Sequence, residues 1–157
     1  MIGPVRRLLP LAAAALLLTG CGAGAPPEVV FTAGDATATA RPTQYCEDDF
    51  VTCTNDATAP VELAVPAGTT LRVDVPDEVA ETPWQVVFSY RTAAGEQVDE
   101  RTAVQVDSAG SAVEIPEGAR LLTAQVQQYG PPPVIDETTG ELLFPTRSSW
   151  VLTAAGS

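Results

Sequence analysis

The residues with the clearest potential for covalent chemistry in this chain are its three cysteines. Cys21 follows an apolar segment near the N-terminus, whereas Cys46 and Cys53 lie close together further along the chain. A cysteine sulfur can be acylated or oxidised to a disulfide, and as a thiolate it can bind a metal or act as a nucleophile. The residues around each cysteine indicate which chemistry applies.

Cys21 ends a segment that has the parts of an export signal. Two arginines supply positive charge, and the apolar run Leu8–Leu18 is shorter than the roughly 20 residues that a membrane-spanning helix needs. Leu18-Thr19-Gly20-Cys21 then resembles the bacterial lipobox, in which small residues precede the cysteine that receives a diacylglyceryl group on its sulfur. We therefore predict a signal peptide over residues 1–20 and lipidation of Cys21. An ordinary secretory signal is the alternative.

Export would place Cys46 and Cys53 in an oxidising compartment, where an even pair of cysteines favours a disulfide. A bond between them would close the loop formed by residues 47–52. The alternative is a redox-active or metal-binding thiol pair. In redox and zinc motifs two residues separate the cysteines, whereas six residues separate Cys46 from Cys53. The acidic residues of the loop would also raise the pKa of a free thiol. We predict a structural disulfide.

The remaining composition excludes several classes of enzyme. The chain has no histidine, and all 8 of its basic residues are arginines. Ser-His-Asp, Cys-His and Ser-Lys machinery and lysine Schiff bases are therefore excluded. The common ligands of zinc, copper and haem sites are scarce, and no glycine-rich phosphate loop is present. The catalytic groups that remain are the carboxylates of Asp and Glu.

Paired carboxylates can hydrolyse a glycosidic bond when one of them has a raised pKa. Carboxylates can also bind Ca²⁺, which takes six to eight oxygen ligands, and two acidic clusters, Glu47–Asp49 and Asp136–Glu137 with Glu141, are candidates for such a site. Neither cluster matches a calcium motif, and in a chain with 20 acidic residues we expect most carboxylates to be solvated surface. We predict no metal, no cofactor and no catalytic residue. The candidate acids for hydrolysis are Glu47, Asp48, Asp49, Asp74, Asp77, Glu78 and Glu81.

Two further motifs could bind a ligand. Trp84 and Trp150 could stack on sugar rings, but each alternates with other apolar residues, which favours a position in the core. The segment Tyr129–Pro133 could be a stiff docking segment, and a rigid loop between strands is the simpler interpretation.

The charge of the chain restricts its partners. The formal net charge of −12 becomes −14 when Arg6 and Arg7 leave with the signal peptide. Such a chain is repelled by nucleic acid and by anionic lipid head groups. Contact with a membrane would therefore depend on the lipid on Cys21.

The elements that must position these residues are short strands, with a single helical turn predicted at Pro76–Glu81. Residues 21–27 read as the lipidated cysteine and a flexible tether with a reach of about 20 Å. Residues 28–157 are predicted to form one all-β sandwich, with immunoglobulin-like topology as the first choice and a barrel as the second. The predicted strands are Val29–Thr32, Ala36–Ala40, Val61–Val65, Leu71–Val75, Trp84–Arg91, Thr102–Val106, Ala112–Ile115, Leu122–Gln127, Leu142–Phe144 and Ser149–Ala154.

Several short motifs are similar to those of a family of actinobacterial lipoproteins whose domain has no assigned function. They are Pro27–Phe31, Pro42–Cys46 with Cys53, Val73–Pro76 and Pro83-Trp84. The resemblance covers nearly the whole chain after the signal peptide. It implies the lipid-anchored localisation and the disulfide, but no activity and no catalytic residues.

These features favour a non-enzymatic binding or accessory module on the extracytoplasmic face of a cell membrane. Its expected contacts are the membrane, through the lipid on Cys21, and a protein or glycan of the cell envelope. The alternatives are a small carboxylate-dependent hydrolase of envelope glycan and a structural spacer. A binding module should expose an apolar patch, a hydrolase should present facing carboxylates in a cleft, and a spacer should have neither.

Overall fold

The computed structural model describes residues 24–130 and 133–156. The predicted signal peptide and Cys21 lie outside these residues. About 49% of the described residues are in strands and 3% are in a helix. The strands are β1 (Val29–Ala33), β2 (Ala36–Ala40), β3 (Gln44–Cys46), β4 (Cys53–Asn55), β5 (Val61–Leu63), β6 (Leu71–Asp74), β7 (Trp84–Arg91), β8 (Gln97–Arg101), β9 (Gly110–Val113), β10 (Arg120–Tyr129), β11 (Val134–Ile135), β12 (Leu142–Leu143) and β13 (Thr146–Ala154), and the helix is α1 (Asp77–Ala80).

The strands form two larger sheets and a separate hairpin. The smaller of the two has the order β2-β1-β6-β9, and all its pairs are antiparallel. The larger has the order β4-β3-β13-β10-β7-β8, with β5 pairing in parallel with the end of β13. Among the residues that the structure describes, strands β11 and β12 pair only with each other. Within the described residues no sheet closes into a barrel, so the prediction of an all-β sandwich is confirmed and the barrel alternative is wrong. The immunoglobulin-like topology stays a prediction.

The core lies between the two sheets and follows from the period-2 alternation of the strands. In β1, Val29, Phe31 and Ala33 are buried, and in β6 Leu71 and Val73 are buried between exposed neighbours. Successive side chains of a strand point to opposite faces, so each strand contributes every second residue to the core. Removing these side chains from water stabilises the fold by about 25 cal/mol per Å² of apolar area.

Both tryptophans are core residues, as predicted. Trp84 and Trp150 have no exposed surface. The indole nitrogen of Trp84 donates a hydrogen bond to the carbonyl oxygen of Ser108 at 2.9 Å, and that of Trp150 donates to the carbonyl oxygen of Pro27 at 2.9 Å. Stacking on a sugar ring is therefore excluded for both residues, because their ring faces are covered.

One predicted strand is wrong. Thr102–Val106 forms no ladder with any described strand, and Gln105 forms an isolated bridge to Trp84. Its valines, Val104 and Val106, are 53% and 58% exposed. The strand lies earlier, at Gln97–Arg101, where charged side chains are tolerated because β8 is an edge strand that pairs only with β7.

A register shift also changes one predicted face. The pattern of β10 places Leu122 in phase with Ala124 and Val126. An irregularity between Leu121 and Thr123 instead puts Leu121 in the core and leaves Leu122 partly exposed. Because a shift of one residue exchanges the two faces of a strand, the apolar pair of leucines made the sequence pattern ambiguous here.

Candidate functional site

Four separate features meet at one end of the sandwich, which we call the N-terminal end. The described chain enters β1 there after Pro27, and β3 finishes there at Cys46. Strand β10 also finishes there at Tyr129, and β13 begins there at Thr146. The disulfide loop, helix α1, the β11–β12 hairpin and the end of the predicted tether are therefore neighbours in space.

The disulfide between Cys46 and Cys53 is present, with the two sulfurs 2.03 Å apart. The two residues are directly opposite each other on the antiparallel strands β3 and β4. The predicted structural disulfide is confirmed. In this bonded state neither sulfur is a free thiolate that could bind a metal ion.

The loop that the disulfide closes, residues 47–52, is ordered by one of its own carboxylates. Asp49 accepts hydrogen bonds from the backbone amides of Val51 and Thr52, at 2.9 and 2.8 Å, and from the Thr52 hydroxyl at 2.7 Å. The bonds from the Thr52 amide and hydroxyl, and then that from the Val51 amide, hold the pKa of Asp49 below its usual value of 3.8. The Asp49 carboxylate therefore stabilises the loop.

The same loop is fastened to the strand ends beside it. Phe50 has a positive φ of 55°, which is unfavourable for a residue with a bulky side chain, and its ring lies on Gly130. A Cβ atom at Gly130 would overlap the Phe50 ring, so only glycine allows this contact. Arg147 completes the arrangement: its guanidinium lies 5.5 Å from the centre of the Phe50 ring and 2.5 Å from a carboxylate oxygen of Asp48.

Removing the disulfide is expected to lower the free energy of unfolding. In the loop-entropy description, a ring of this size contributes about 2.5 kcal/mol. We expect the double variant Cys46→Ser and Cys53→Ser to show this loss as a lower urea midpoint. Reduction of the wild-type protein serves as the matched control and should give a similar shift. Coincident midpoints for the variant and the oxidised wild type would show that the bond contributes nothing to stability.

The β11–β12 hairpin exposes apolar side chains on both of its faces. Val134 pairs with Leu143, and Ile135 pairs with Leu142, so the two pairs lie on opposite faces of the ribbon. All four side chains are exposed, with Ile135 at 66%. Phe144 follows them, is 57% exposed, and contacts the ring of Tyr129 edge-to-face at 6.0 Å between centroids. A two-stranded ribbon with both faces apolar is unusual on a free surface.

The tip of the hairpin is polar and internally bonded. Asp136 accepts hydrogen bonds from the backbone amides of Thr138 and Thr139, at 2.7 and 3.0 Å. These two bonds, led by that from Thr139, lower the pKa of Asp136. Glu137 and Glu141 add two more acidic side chains to the tip. The hairpin is therefore an apolar ribbon that ends in a negatively charged turn.

A polar cleft of about 480 Å³ opens beside the hairpin, between α1 and the ends of the strands. The larger sheet contributes one cross-strand row of side chains on its inner face, Tyr45, Ser148, Gln128 and Trp84 in that order. Gln128 and Ser148 interrupt the apolar pattern of this face, where Val126 and Trp150 occupy the next row. The full lining of the cleft is Pro27, Tyr45, Asp48, Asp77, Glu78, Glu81, Thr82, Gln128 and Arg147.

Two buried oxygen atoms beside this cleft have no hydrogen-bond partner among residues 24–130 and 133–156. They are Oε1 of Gln128, whose side chain is 3% exposed, and Oγ of Ser148, which is fully buried. The amide nitrogen of Gln128 donates to the carbonyl oxygen of Glu78 at 3.1 Å and to the Thr82 hydroxyl at 2.9 Å. Because a carbonyl oxygen only accepts, these bonds fix which end of the amide is nitrogen. Leaving a buried polar atom without a partner costs about 1–3 kcal/mol.

The structure brings together only some of the acids considered for chemistry. Asp48, Asp77, Glu78 and Glu81 line the cleft, and all of them are exposed to solvent rather than enclosed as the acid of a glycosidase pair is. Asp74 lies away from them, beside Gly110 on the surface of the smaller sheet. The remaining candidates, Glu47 and Asp49, belong to the disulfide loop.

Neither candidate calcium cluster is arranged around a cation. Among the described residues, no group of three or more Asp, Glu, His or Cys side chains could hold a metal ion. Asp48 is paired with Arg147, and Asp49 and Asp136 are engaged with backbone amides of their own turns. Their oxygens therefore serve to order the turns.

A comparison with known protein families gives one match. The model of a family described as "Protein of unknown function (DUF2771)" matches residues 23–155. The chain belongs to this family. The DUF2771 match spans both sheets, the disulfide loop, the hairpin and the cleft. No curated protein and no solved structure matches the chain. In the described part of the chain, no helix is long and apolar enough to cross a membrane.

Proposed function

We propose that this chain is a lipid-anchored, non-enzymatic binding module on the extracytoplasmic face of a bacterial cytoplasmic membrane, in an actinobacterial lipoprotein branch of the DUF2771 family. The anchor is the lipid on Cys21, and the binding element is the β11–β12 hairpin. The exposed apolar faces of the hairpin are the observation that carries the proposal.

The position of the tether supports this assignment. Pro27 is hydrogen-bonded to the buried Trp150, so the chain leaves the domain at its N-terminal end. Only about 20 Å of extended chain separate Pro27 from a lipid on Cys21. Anchoring would therefore hold the hairpin near the bilayer surface, within reach of the extracytoplasmic part of a membrane protein.

The chemistry of the hairpin favours a protein over the bilayer as its partner. Insertion of the ribbon into lipid would carry the carboxylates of Asp136, Glu137 and Glu141 in first, and desolvating carboxylates is costly. A groove in a protein can cover both apolar faces and place basic side chains around the acidic tip. We therefore assign the hairpin to an apolar groove with a basic rim on an envelope protein.

The test compares two pairs of exposed apolar residues. The hairpin variant Leu142→Ser with Leu143→Ser should lose a cross-linked envelope partner that the wild type retains. The matched control, Val104→Ser with Val106→Ser, removes valines of similar exposure outside the hairpin and should retain that same partner. Truncation of contacts at the centre of an interface typically weakens binding by about 2 kcal/mol or more, which is roughly thirtyfold.

Three results would contradict the proposal. They are recovery of no defined partner, equal loss in both variants, and equal retention in both variants. Because all four side chains are exposed, neither variant should change the urea midpoint appreciably. A structural spacer predicts no partner at all, and a hydrolase predicts activity that survives the hairpin variant.

A further inference from the structure

The disulfide loop, residues 47–52, lies against the base of the β11–β12 hairpin. Its Phe50 ring contacts Gly130, and the amide of Gly130 closes this base by donating a hydrogen bond of 2.9 Å to the carbonyl oxygen of Pro145. We propose that the loop is a redox-sensitive clasp, in which the disulfide holds the hairpin in place and reduction by a dithiol releases it. The consequence for partner binding rests on the function proposed for the hairpin.

The contact between Phe50 and Gly130 depends on the closed loop. Phe50 has a positive φ of 55°, and a bulky side chain keeps such a conformation only where its surroundings impose it. The disulfide imposes it together with two backbone bonds inside the loop, from Glu47 to Thr52 at 2.9 Å and from Phe50 to Glu47 at 3.0 Å. Once the disulfide is open, Phe50 can return to a negative φ, and its ring then leaves Gly130.

Arg147 connects the same loop to the chain that leaves the hairpin. It lies near the start of β13, its guanidinium is 2.5 Å from a carboxylate oxygen of Asp48, and it is 5.5 Å from the centre of the Phe50 ring. The loop therefore contacts the residue that precedes the hairpin, Gly130, and a residue that follows it. Displacement of the loop removes support from both ends of the hairpin at once.

The two sulfurs of the bond have different surroundings. Cys53 is exposed on β4, at the edge of the larger sheet, so an attacking thiolate has access to it, whereas Cys46 is only 4% exposed. The side-chain amide of Gln44 donates to the Cys46 sulfur at 4.0 Å, and Arg147 donates to the Cys46 carbonyl oxygen at 3.3 Å. These donors stabilise negative charge on Cys46, and the ion pair with Arg147 offsets the charge of Asp48. The arrangement favours attack on Cys53 with Cys46 as the leaving group.

The reductant that this exchange requires is a dithiol protein of the thioredoxin class on the extracytoplasmic side. Its first thiolate bonds to the Cys53 sulfur, and the sulfur of Cys46 leaves with the electron pair of the broken bond. Its second thiolate then attacks its own partner sulfur in the mixed disulfide, and Cys53 leaves as a thiolate. The two cysteines take up two protons, and the dithiol becomes a disulfide, so two electrons pass to this chain.

Reduction of the mature, membrane-extracted protein in detergent tests whether the folded protein reacts. The rate should rise in proportion to the concentration of dithiothreitol, because the thiolate attacks the folded state. With the monothiol glutathione and rapid alkylation by iodoacetamide, peptide masses should place glutathione on Cys53 and the alkyl group on Cys46. A rate independent of thiol concentration, or glutathione mainly on Cys46, would overturn the proposal.

NMR order parameters then show whether the bond controls the hairpin. On reduction, the amides of Gly130 and of residues 134–143 should fall from rigid values of about 0.85 to below about 0.6, while those of residues 124–126 in β10 stay rigid. Phe50→Ala should give the same fall with the disulfide intact, because it removes the ring from Gly130. Val51→Ala, in the same loop but 84% exposed, should give none. Unchanged order in the reduced protein, or an equal fall in both variants, would overturn the clasp.

Photo-cross-linking distinguishes a failed clasp from a failed binding function. With a photoreactive amino acid at Leu143, the variant Cys46→Ser with Cys53→Ser should give at least about fivefold less adduct than the oxidised protein, because its hairpin is no longer preorganised. Equal yields from the two proteins would overturn the clasp. No adduct from either protein would instead overturn the proposed binding function, and the order parameters would still decide whether the clasp exists.

Discussion

Replacing Cys21 with alanine is expected to release the protein from the membrane or to leave an unprocessed precursor. The anchoring predicted for Cys21 depends on two or three acyl chains, each burying methylene groups at about 0.8 kcal/mol apiece. Without them the domain has a net charge of −14 and is repelled by anionic head groups. The effect on membrane retention should therefore be close to complete.

Fractionation of cells, combined with mass measurement of the chain, checks this expectation. The wild type should be found in the membrane fraction, cut before residue 21 and carrying lipid. The variant Cys46→Ser with Cys53→Ser is the control, because it loses cysteines but keeps the anchor, and it should remain in the membrane fraction. A Cys21→Ala protein that stays in the membrane fraction at the mature mass would refute the lipidation of Cys21.

Replacing Trp150 with alanine is expected to cause the largest loss of stability of any substitution considered. Trp150 is fully buried at the centre of the larger sheet and also holds Pro27 through its indole nitrogen. Truncation of a buried tryptophan typically costs about 3–5 kcal/mol, out of a total stability of about 5–15 kcal/mol for a domain. Much of the variant protein should therefore be unfolded under mild denaturing conditions.

Two further substitutions make this measurement specific. Trp150→Phe keeps much of the apolar volume but loses the bond to Pro27, so it should cost clearly less than alanine. Val104→Ala changes an exposed side chain and should alter the free energy of unfolding by no more than about 0.5 kcal/mol. Urea midpoints that place Trp150→Ala beside Val104→Ala would show that Trp150 is not a core residue.

The core could be predicted from the sequence because burial follows a local pattern. Val29 and Phe31 alternate with less buried neighbours, and Trp150 and Leu152 do the same in β13. The edge strand β8 could not be found in this way, because Asp99, Glu100 and Arg101 have no apolar period. Its pairing with β7 is a tertiary contact that overrides the local composition.

The disulfide could also be predicted, since an even pair of cysteines in a chain with a predicted export signal favours one. The cleft could not, because its lining joins residues of α1, β3, β10 and β13 that are far apart in the sequence. A signal for it was nevertheless present in the sequence. Gln128 continues the series of Ala124 and Val126, and Ser148 is in phase with Trp150, so each polar residue stands where the alternation calls for an apolar one.

Only one of the two hairpin strands could be predicted from the sequence. The segment Leu142–Phe144 was expected after the turn at residues 137–140, and β12 confirms a strand there. Its partner strand, Val134–Ile135, could not be predicted, because a strand of two residues is too short to show a period-2 alternation. That both faces of the ribbon stay exposed is a property of tertiary packing.

In-cell photo-cross-linking tests the central claim, an anchored module that binds through its hairpin, most directly. A photoreactive amino acid at Leu143 should give one defined adduct with an envelope protein in the membrane fraction. The same amino acid at Glu96, an exposed residue in the turn between β7 and β8, should give none. No adduct from Leu143, or the same adduct from both positions, would contradict the account.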